Sequence, residues 1–380
     1  MGVIEVDLLQ IRDEIDQIDQ ELVRLYEKRM DIVEAVAQYK IQTDKPIFDK
    51  ERELQKLAAV SEQAQNPFNA FAIEQLFEQI MTMSRKLQYE LLAKHGKGYV
   101  EHFQTMERVN KEKAKVIFQG AIGAYSEVAM KQYFGEEVDA YSVETFKDAM
   151  SAIQEKKADF AVLPIENSSA GTVNEIYDLL VDYEIYIVAE QVIQVEHYLL
   201  GIEGSSIDRI ERVYSHAQSL MQSARFLDYH PQWQQISMKN NAFATQKVAQ
   251  DADVSQAAIA SKQAGELYGL VPLQAAVNDN PNNATRFIVI ANEKCSLEGA
   301  KKISVCFEVP HTSGSLYRVL SHFIYNNLNM TKIESRPVGG KNWEYRFFVD
   351  FEGCLRDSAV QNALRSIQDE VKYLKILGNY

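Results

Sequence analysis

Between Val3 and Lys45 the chain holds neither glycine nor proline, so nothing there interrupts a helix. Cysteine is scarce: Cys295, Cys306 and Cys354 are the three, an odd set without C-x-x-C spacing. That argues against a disulfide framework and for reduced thiols, and leads us to expect a cytoplasmic protein. The seven histidines show no metal-ligand spacing, so no metal is expected. No apolar run approaches the ~20 residues that span a bilayer, and no signal-peptide pattern opens the chain. Positive charge is short as well: 40 Lys and Arg against 54 Asp and Glu give a formal net charge of −14. Nucleic acid would need a basic face and a membrane surface a polybasic segment, so neither partner is expected. The Gly120-x-x-Gly123 turn is not G-x-G-x-x-G, and no Walker pattern occurs, which argues against a dinucleotide fingerprint.

What is present falls into three textures, and 380 residues suffice for two or three domains. The first runs over 1–94. Ile11, Ile15, Ile18, Leu22 and Leu25 recur at three and four, and Ile32, Val33, Val36 and Ala37 continue the stripe, which predicts one long amphipathic helix. Such a helix is too long for one small domain to bury, so a helical partner is expected. Pro46 closes it, and two further helices are expected over 49–64 and 69–93. Residues 95–114 read as a charged connector. Over 115–295 short strands alternate with helices; strands are expected at 116–118, 160–165, 185–188, 195–202, 213–214, 257–259 and 287–291. This implies an α/β domain of two lobes with a cleft between them. Residues 301–380 read βαββαβ, an α+β ferredoxin-like sandwich.

In the all-helical block the cations do not look scattered. Arg29 and Lys40 lie about 20° apart around one helix and roughly 16 Å apart along it. Two long side chains at that spacing can grip one small dianion. Arg12 lies roughly 25 Å from Arg29 and about 100° off that face, so it can serve such a site only on a partner chain. Asp49, Arg52 and Glu53 share a face at i, i+3 and i+4, as Ser84 and Gln88 do at i, i+4. Inward-facing Lys, Arg and Gln are costly unless a ligand satisfies them. The same spacings also fit a solvated face with surface pairs such as Asp49–Arg52, and spacing alone does not choose.

Arg12, Arg29, Lys40, Asp49, Arg52, Glu53, Ser84 and Gln88 together match the site pattern of the all-helical chorismate mutases. The middle block resembles prephenate dehydratase through Gly120-x-x-Gly123-x-Tyr125-Ser126, Pro164-Ile165-Glu166-Asn167-Ser168, Ser215-His216-x-Gln218 and Asn283-x-Thr285-Arg286-Phe287. The last block resembles an ACT regulatory domain of the phenylalanine-sensing type, through Gly314-Ser315-Leu316 and Glu334-Ser335-Arg336-Pro337. Three motif sets in this order resemble the bifunctional chorismate mutase–prephenate dehydratase family over nearly the whole chain. Two positions depart from the pattern: Ala217 stands where the family usually has proline, and Tyr317 where a small aliphatic residue is common.

The resemblance implies a multidomain fold: an all-α mutase domain, a two-lobed, periplasmic-binding-protein-like dehydratase domain and an ACT domain. It implies chorismate rearranging to prephenate in the helical domain without a cofactor. Arg29 and the partner chain's Arg12 would hold the carboxylates. Lys40 and Gln88 would donate to the ether oxygen, Arg52 would orient Asp49 or Glu53, and Ser84 would complete the pocket. Prephenate would become phenylpyruvate with Thr285 as the acid. Ser126, Asn167, Ser168, Ser215, His216, Gln218 and Phe287 would line the cleft, and Arg286 would fix a carboxylate. L-phenylalanine would bind at Gly314, Ser315 and Leu316 facing Glu334, Ser335, Arg336 and Pro337, and inhibit by feedback in a homodimer or larger homo-oligomer. Two competing readings remain on sequence alone: a non-catalytic amino-acid sensor, which would show ligand-induced melting shifts and no turnover, and a dehydratase whose helical block only dimerises.

Overall fold

The computed structural model describes residues 7–96, 103–341 and 343–380. Helix α1 spans Leu8–Thr43, capped by Asp7, whose carboxylate accepts the Leu9 and Gln10 N–H groups. It stops at Asp44, which adopts a left-handed backbone (φ 55°) just before Pro46. Helix α2 (Lys50–Ser61) is capped by Asp49, and α3 (Pro67–Lys94) by Asn66 with proline in its first turn.

There follow β1 (Gln104–Met106), β2 (Lys115–Gln119), α4 (Tyr125–Phe134), β3 (Asp139–Val143), α5 (Phe146–Gln154), β4 (Phe160–Asn167), β5 (Gly171–Thr172) and α6 (Asn174–Asp182). The chain continues with β6 (Tyr186–Gln194), β7 (Tyr198–Gly201), β8 (Arg212–His216), α7 (Ala217–Gln222), α8 (Ala224–Asp228), β9 (Gln234–Met238), α9 (Asn241–Asp251), β10 (Gln256–Ala260), α10 (Lys262–Tyr268) and β11 (Val271–Gln274). Strands β12 (Ala284–Ala291) and β13 (Cys295–Leu297) precede the last block. That block is β14 (Lys302–Glu308), α11 (Ser315–Tyr325), β15 (Met330–Pro337), β16 (Tyr345–Glu352), α12 (Ser358–Glu370) and β17 (Tyr373–Asn379), in the order βαββαβ.

These elements form two units. One holds α1, α2 and α3 together with α11 and α12; the other holds the strands and α4 to α10. The units thus cut across the three sequence textures. In the helical unit, α1 buries only Val33 and Ala37, toward its C-terminal end. Ile11, Ile15, Ile18, Leu22 and Leu25 are all exposed within the chain.

In the second unit, the larger sheet runs β15-β16-β14-β17-β6-β12-β4-β2-β3 and the smaller β11-β7-β10-β8-β9. Val116, Phe118, Val162, Phe287 and Val289 sit in the core of the first lobe; Leu199, Val213, Ala257 and Ile259 in that of the second. The strand expected at 195–202 is shorter, β7 alone (Tyr198–Gly201), because the chain crosses between lobes over 195–197: β6, ending at Gln194, belongs to one sheet and β7 to the other. Strands β3, β9 and β11 escaped the sequence reading for a common reason. Each is the last strand at a sheet edge, half-solvated and therefore weak in apolar pattern. The charged connector also contributes to the fold: β1 pairs with β13, and Val109 and Ala114 enter the core. Gly378 is required where β17 meets β6, since a Cβ would lie 2.2 Å from the Ile187 carbonyl oxygen. No helix among the described residues is long and apolar enough to cross a membrane.

Candidate active sites

In the helical unit, the C-terminal part of α1 and the middle of α3 bring together residues far apart in sequence. Arg29 Nη1 donates to Ser84 Oγ, whose own proton goes to the Ile80 carbonyl oxygen at 2.7 Å. Lys40 Nζ donates to the Ile47 carbonyl oxygen at 2.6 Å. Burial lowers the pKa of both Arg29 and Lys40, and the Glu53 carboxylate works against that shift in each. Gln88 is buried, its amide Nε2 donates to the Ser84 carbonyl oxygen at 3.2 Å, and its Oε1 has no partner among the described residues. An amide nitrogen carries two protons, so with one on the Ser84 carbonyl oxygen Gln88 keeps a second to donate.

Two residues are placed differently from expectation. Arg52 is exposed, and only its backbone N–H reaches Asp49, at 3.0 Å. Because Asp49 is the N-cap, its carboxylate is already engaged by the helix end. The group that pairs with Glu53 is Arg85, buried and lying over the Phe48 ring. Arg12 is exposed on the unpaired part of α1.

In the second unit a cleft of about 550 Å³ opens at Thr285, Asn167, His197, His216, Gln218 and Gln222. Thr285 sits opposite Asn167 in the β12–β4 pairing. Asn167 Nδ2 donates to Thr285 Oγ1 and to Asn283 Oδ1, each at 2.9 Å. Asn167 Oδ1 accepts the Ser169 and Ala170 N–H groups, which fixes the amide's orientation. With its lone pair so engaged, the Thr285 hydroxyl keeps its proton free to donate elsewhere. Ser126, in the first turn of α4, also lines the cleft. Gly123 just before it has φ 89° and lets the loop approach Ala264 closely, at 3.4 Å from a notional Cβ. The ring nitrogen Nδ1 of His216 accepts the Gln218 N–H at 3.3 Å, which leaves the proton on Nε2.

Three expected cleft residues do not line it. Strand alternation puts Thr285 and Phe287 on one face of β12 and Arg286 on the other. Arg286 pairs there with Asp350 at 2.8 Å and with Glu166 and Glu190 at 3.4 Å. Ser215 is fully buried, with its hydroxyl 2.6 Å from the Ile259 carbonyl oxygen. Ser168 Oγ is taken by the Ala284 N–H.

His197 was missed by sequence reasoning. It is 1 % exposed, and burial lowers its pKa despite a hydrogen bond to Gln222 that opposes the shift. Its Nε2 lies 3.0 Å from Gln222 Oε1, which also accepts from Asn283 Nδ2 at 3.1 Å. A line of amides therefore joins His197 to Asn167 and Thr285. No local signal set it apart, because His197 lies in the gap between β6 and β7 that the sequence reading ran over as strand.

Of the motifs expected to bind phenylalanine, Gly314 (φ 76°) precedes α11 in the helical unit, where Thr312 and Ser315 hydroxyls meet at 2.6 Å. Residues Glu334–Pro337 form the end of β15 in the other unit. There Glu334 accepts from Thr172 Oγ1 at 2.9 Å, and Arg336 pairs with Asp178.

The chorismate mutase type II family matches residues 11–89 and the prephenate dehydratase family residues 116–295. A bifunctional chorismate mutase/prephenate dehydratase from Enterobacter agglomerans is 33% identical over 382 residues, covering 98% of this chain and 95% of its own. Its counterpart from Escherichia coli (strain K12) is 30% identical over 384 residues, covering 99% and 96%. The crystal structure of a prephenate dehydratase in complex with L-Phe from Arthrobacter aurescens superposes with a TM-score of 0.66 at 27% identity, over 70% of this chain and 89% of that one. With relatives matched end to end, the chain belongs to the bifunctional chorismate mutase/prephenate dehydratases and carries both activities.

Proposed function

We propose that the two polar clusters divide the two reactions. In the helical unit Arg29 takes one carboxylate of chorismate, and the partner chain's Arg12 takes the other. Lys40 and Gln88 face the ether oxygen, and Glu53 accepts the substrate hydroxyl, with Ser84 holding Arg29 in place. The rearrangement breaks one C–O bond and forms one C–C bond within a single molecule. The enzyme needs only to hold the compact conformer and offset charge growing on the ether oxygen. The contacts that gather Arg29 of α1 and Gln88 of α3 at Ser84 support this reading.

In the cleft, prephenate loses carbon dioxide and hydroxide as its ring becomes aromatic. Thr285 donates to the departing hydroxyl, and Asn167, His216 and Gln218 orient the substrate. The free Thr285 proton, opposite a fixed Asn167 amide at 2.9 Å, is the observation that carries this reading. The first-turn N–H groups of α4 suit a substrate carboxylate.

Regulation and assembly complete the proposal. The βαββαβ order and the strand order β15-β16-β14-β17 support a ferredoxin-like ACT reading of 301–380. L-phenylalanine is then the feedback ligand, with Gly314–Leu316 and Glu334–Pro337 each as candidate contacts; the Arthrobacter prephenate dehydratase is in complex with L-Phe. The exposed stripe from Ile11 to Leu25, spaced four, three, four, three, suits a second copy of α1 in a dimer. The test is to supply chorismate alone and follow prephenate and phenylpyruvate, with and without phenylalanine. Phenylpyruvate formation suppressed by phenylalanine supports the whole scheme. Turnover indifferent to phenylalanine would remove the regulatory part.

A further inference from the structure

The middle of α3 carries a row of polar residues to which the proposed function assigns no role. Glu78, Thr82, Arg85 and Tyr89 recur at three and four and so share one face. That face is covered within the helical unit by α11 and α12. Arg318 Nε approaches Glu78 at 3.6 Å, Lys86 Nζ donates to the Tyr325 carbonyl oxygen, and Tyr89 donates to Asp369. Arg85 lies at the centre with its side chain 7 % exposed, and it is forked between two carboxylates. Nη1 holds Glu53, while Nη2 holds Glu370 Oε1 and Thr82 Oγ1, each at 3.0 Å. His322 Nε2 stands 3.1 Å from the same Glu370 oxygen. Glu370 is thus tied from two sides, by α3 and by α11.

We propose that Arg85 is a positioning residue of the mutase, anchored by Glu370 of the last helix so that it holds Glu53 toward Arg29 and Lys40. This rests on the reading of Glu53 as part of the mutase site. A planar guanidinium can serve two carboxylates at once through separate nitrogens. Glu53 is thereby aimed by Arg85, and Arg29 and Lys40 stay available to the substrate. The mutase site is then completed by a side chain 285 residues away from Arg85 in the chain.

A double-mutant cycle in the full-length protein tests it, with mutase kcat and KM on chorismate read beside dehydratase turnover on added prephenate. Arg85→Lys supplies one ammonium that Glu53 and Glu370 must share, and it should lower mutase kcat about tenfold with dehydratase unchanged. Glu370→Gln in the native background loosens the anchor and should lower kcat about threefold. In the Arg85→Lys background the same Glu370→Gln should raise kcat, because the lysine is released to Glu53. That inversion of sign is not produced by a merely structural contact. Equal effects of Glu370→Gln in both backgrounds, or no effect of either change, overturns the proposal. If Arg85→Lys fails to fold, as dehydratase loss would reveal, the near-isosteric Glu370→Gln alone decides, and an unchanged mutase overturns it. Glu53→Gln separates the two levels: a fully active Glu53→Gln sinks the reading of the site, whereas an inactive one without the inversion sinks only the role of Arg85.

Discussion

In the helical unit the inward polar groups are ions: Arg29, Lys40, Glu53, Arg85 and Glu370, drawn from four helices. In the cleft the groups around Thr285 are neutral: the amides of Asn167, Gln222 and Asn283, and the imidazoles of His197 and His216. The first arrangement pairs Arg85 with Glu53 and Glu370, while Arg29 and Lys40 rest on the Ser84 hydroxyl and the Ile47 carbonyl oxygen. It therefore responds strongly to removal of one partner and to pH. The second is a network of dipoles that fix one another, so it sets direction rather than charge. A substrate carrying two carboxylates, rearranged without losing an atom, suits the former. A reaction driven by aromatisation, which needs one proton aimed at one leaving group, suits the latter.

The largest effect that could break this contrast is Thr285→Ala. Dehydration of added prephenate should fall about 10²- to 10⁴-fold, the usual worth of a positioned acid, with mutase turnover retained. Loss of both activities would mean that the two sites are not independent. Next comes Arg29→Ala, expected to lower mutase kcat/KM by about 10²-fold through a lost charge-assisted contact, with the dehydratase untouched. Arg29→Lys should recover only part of this, since an ammonium cannot reproduce the fork.

The exposed half of α1 offers a third comparison, between one chain and two. Ile18→Asp should shift the protein toward monomer in sedimentation velocity and lower mutase activity as protein is diluted. Chains carrying Arg12→Ala mixed with chains carrying Arg29→Ala should regain mutase activity, because one site of each mixed dimer is then native. Confirmed mixed dimers without recovery would place Arg12 outside the site.

Smaller effects separate the two sites by pH. Burial lowers the Lys40 pKa from its ordinary 10.5, partly offset by Asp49 and Glu53. The active ammonium is lost as pH rises through that lowered value, so the mutase profile should fall on its alkaline side below 10.5, and Lys40→Arg should move the limb upward. Gln88→Glu should add an acid requirement, because a carboxyl must be protonated to donate. A flat profile in that variant would remove Gln88 from its role. In the cleft, burial holds the His197 pKa below 6.5, so its neutral form persists as pH falls. Its contribution to stability is complete above 6.5 and is lost as pH drops toward the lowered value, where only the unfolded chain takes up the proton. His197→Asn should flatten the melting temperature on the acid side. An unchanged slope would assign the acid sensitivity to other groups.

Much of this fold was legible in advance. The helices α1, α2 and α3 followed from apolar spacing, the lack of glycine and the prolines at their ends. The final block was read element for element because its strands alternate with two strongly amphipathic helices. The cleft set was read in part. Asn167, Thr285, His216 and Gln218 stood in recognisable motifs, but motif membership did not reveal which way each side chain pointed. Arg286 sits beside Thr285 in sequence and on the opposite face of β12. Ser215 sits beside His216 and is turned into the core.

By itself the sequence determined the local order: where helices start and stop, which segments alternate, and which residue types were available for acid, cation and amide roles. These are properties of neighbours three or four positions apart, or two along a strand, and their physics is carried by adjacent residues. Only the tertiary structure decided that Glu53 is held by Arg85 rather than Arg52, that Arg85 leans on Glu370, and that His197 joins Thr285 through Gln222 and Asn167. Those pairings depend on which faces of distant elements meet. A buried charge or amide takes whatever partner the packing brings within about 3 Å, and no short-range pattern records that choice.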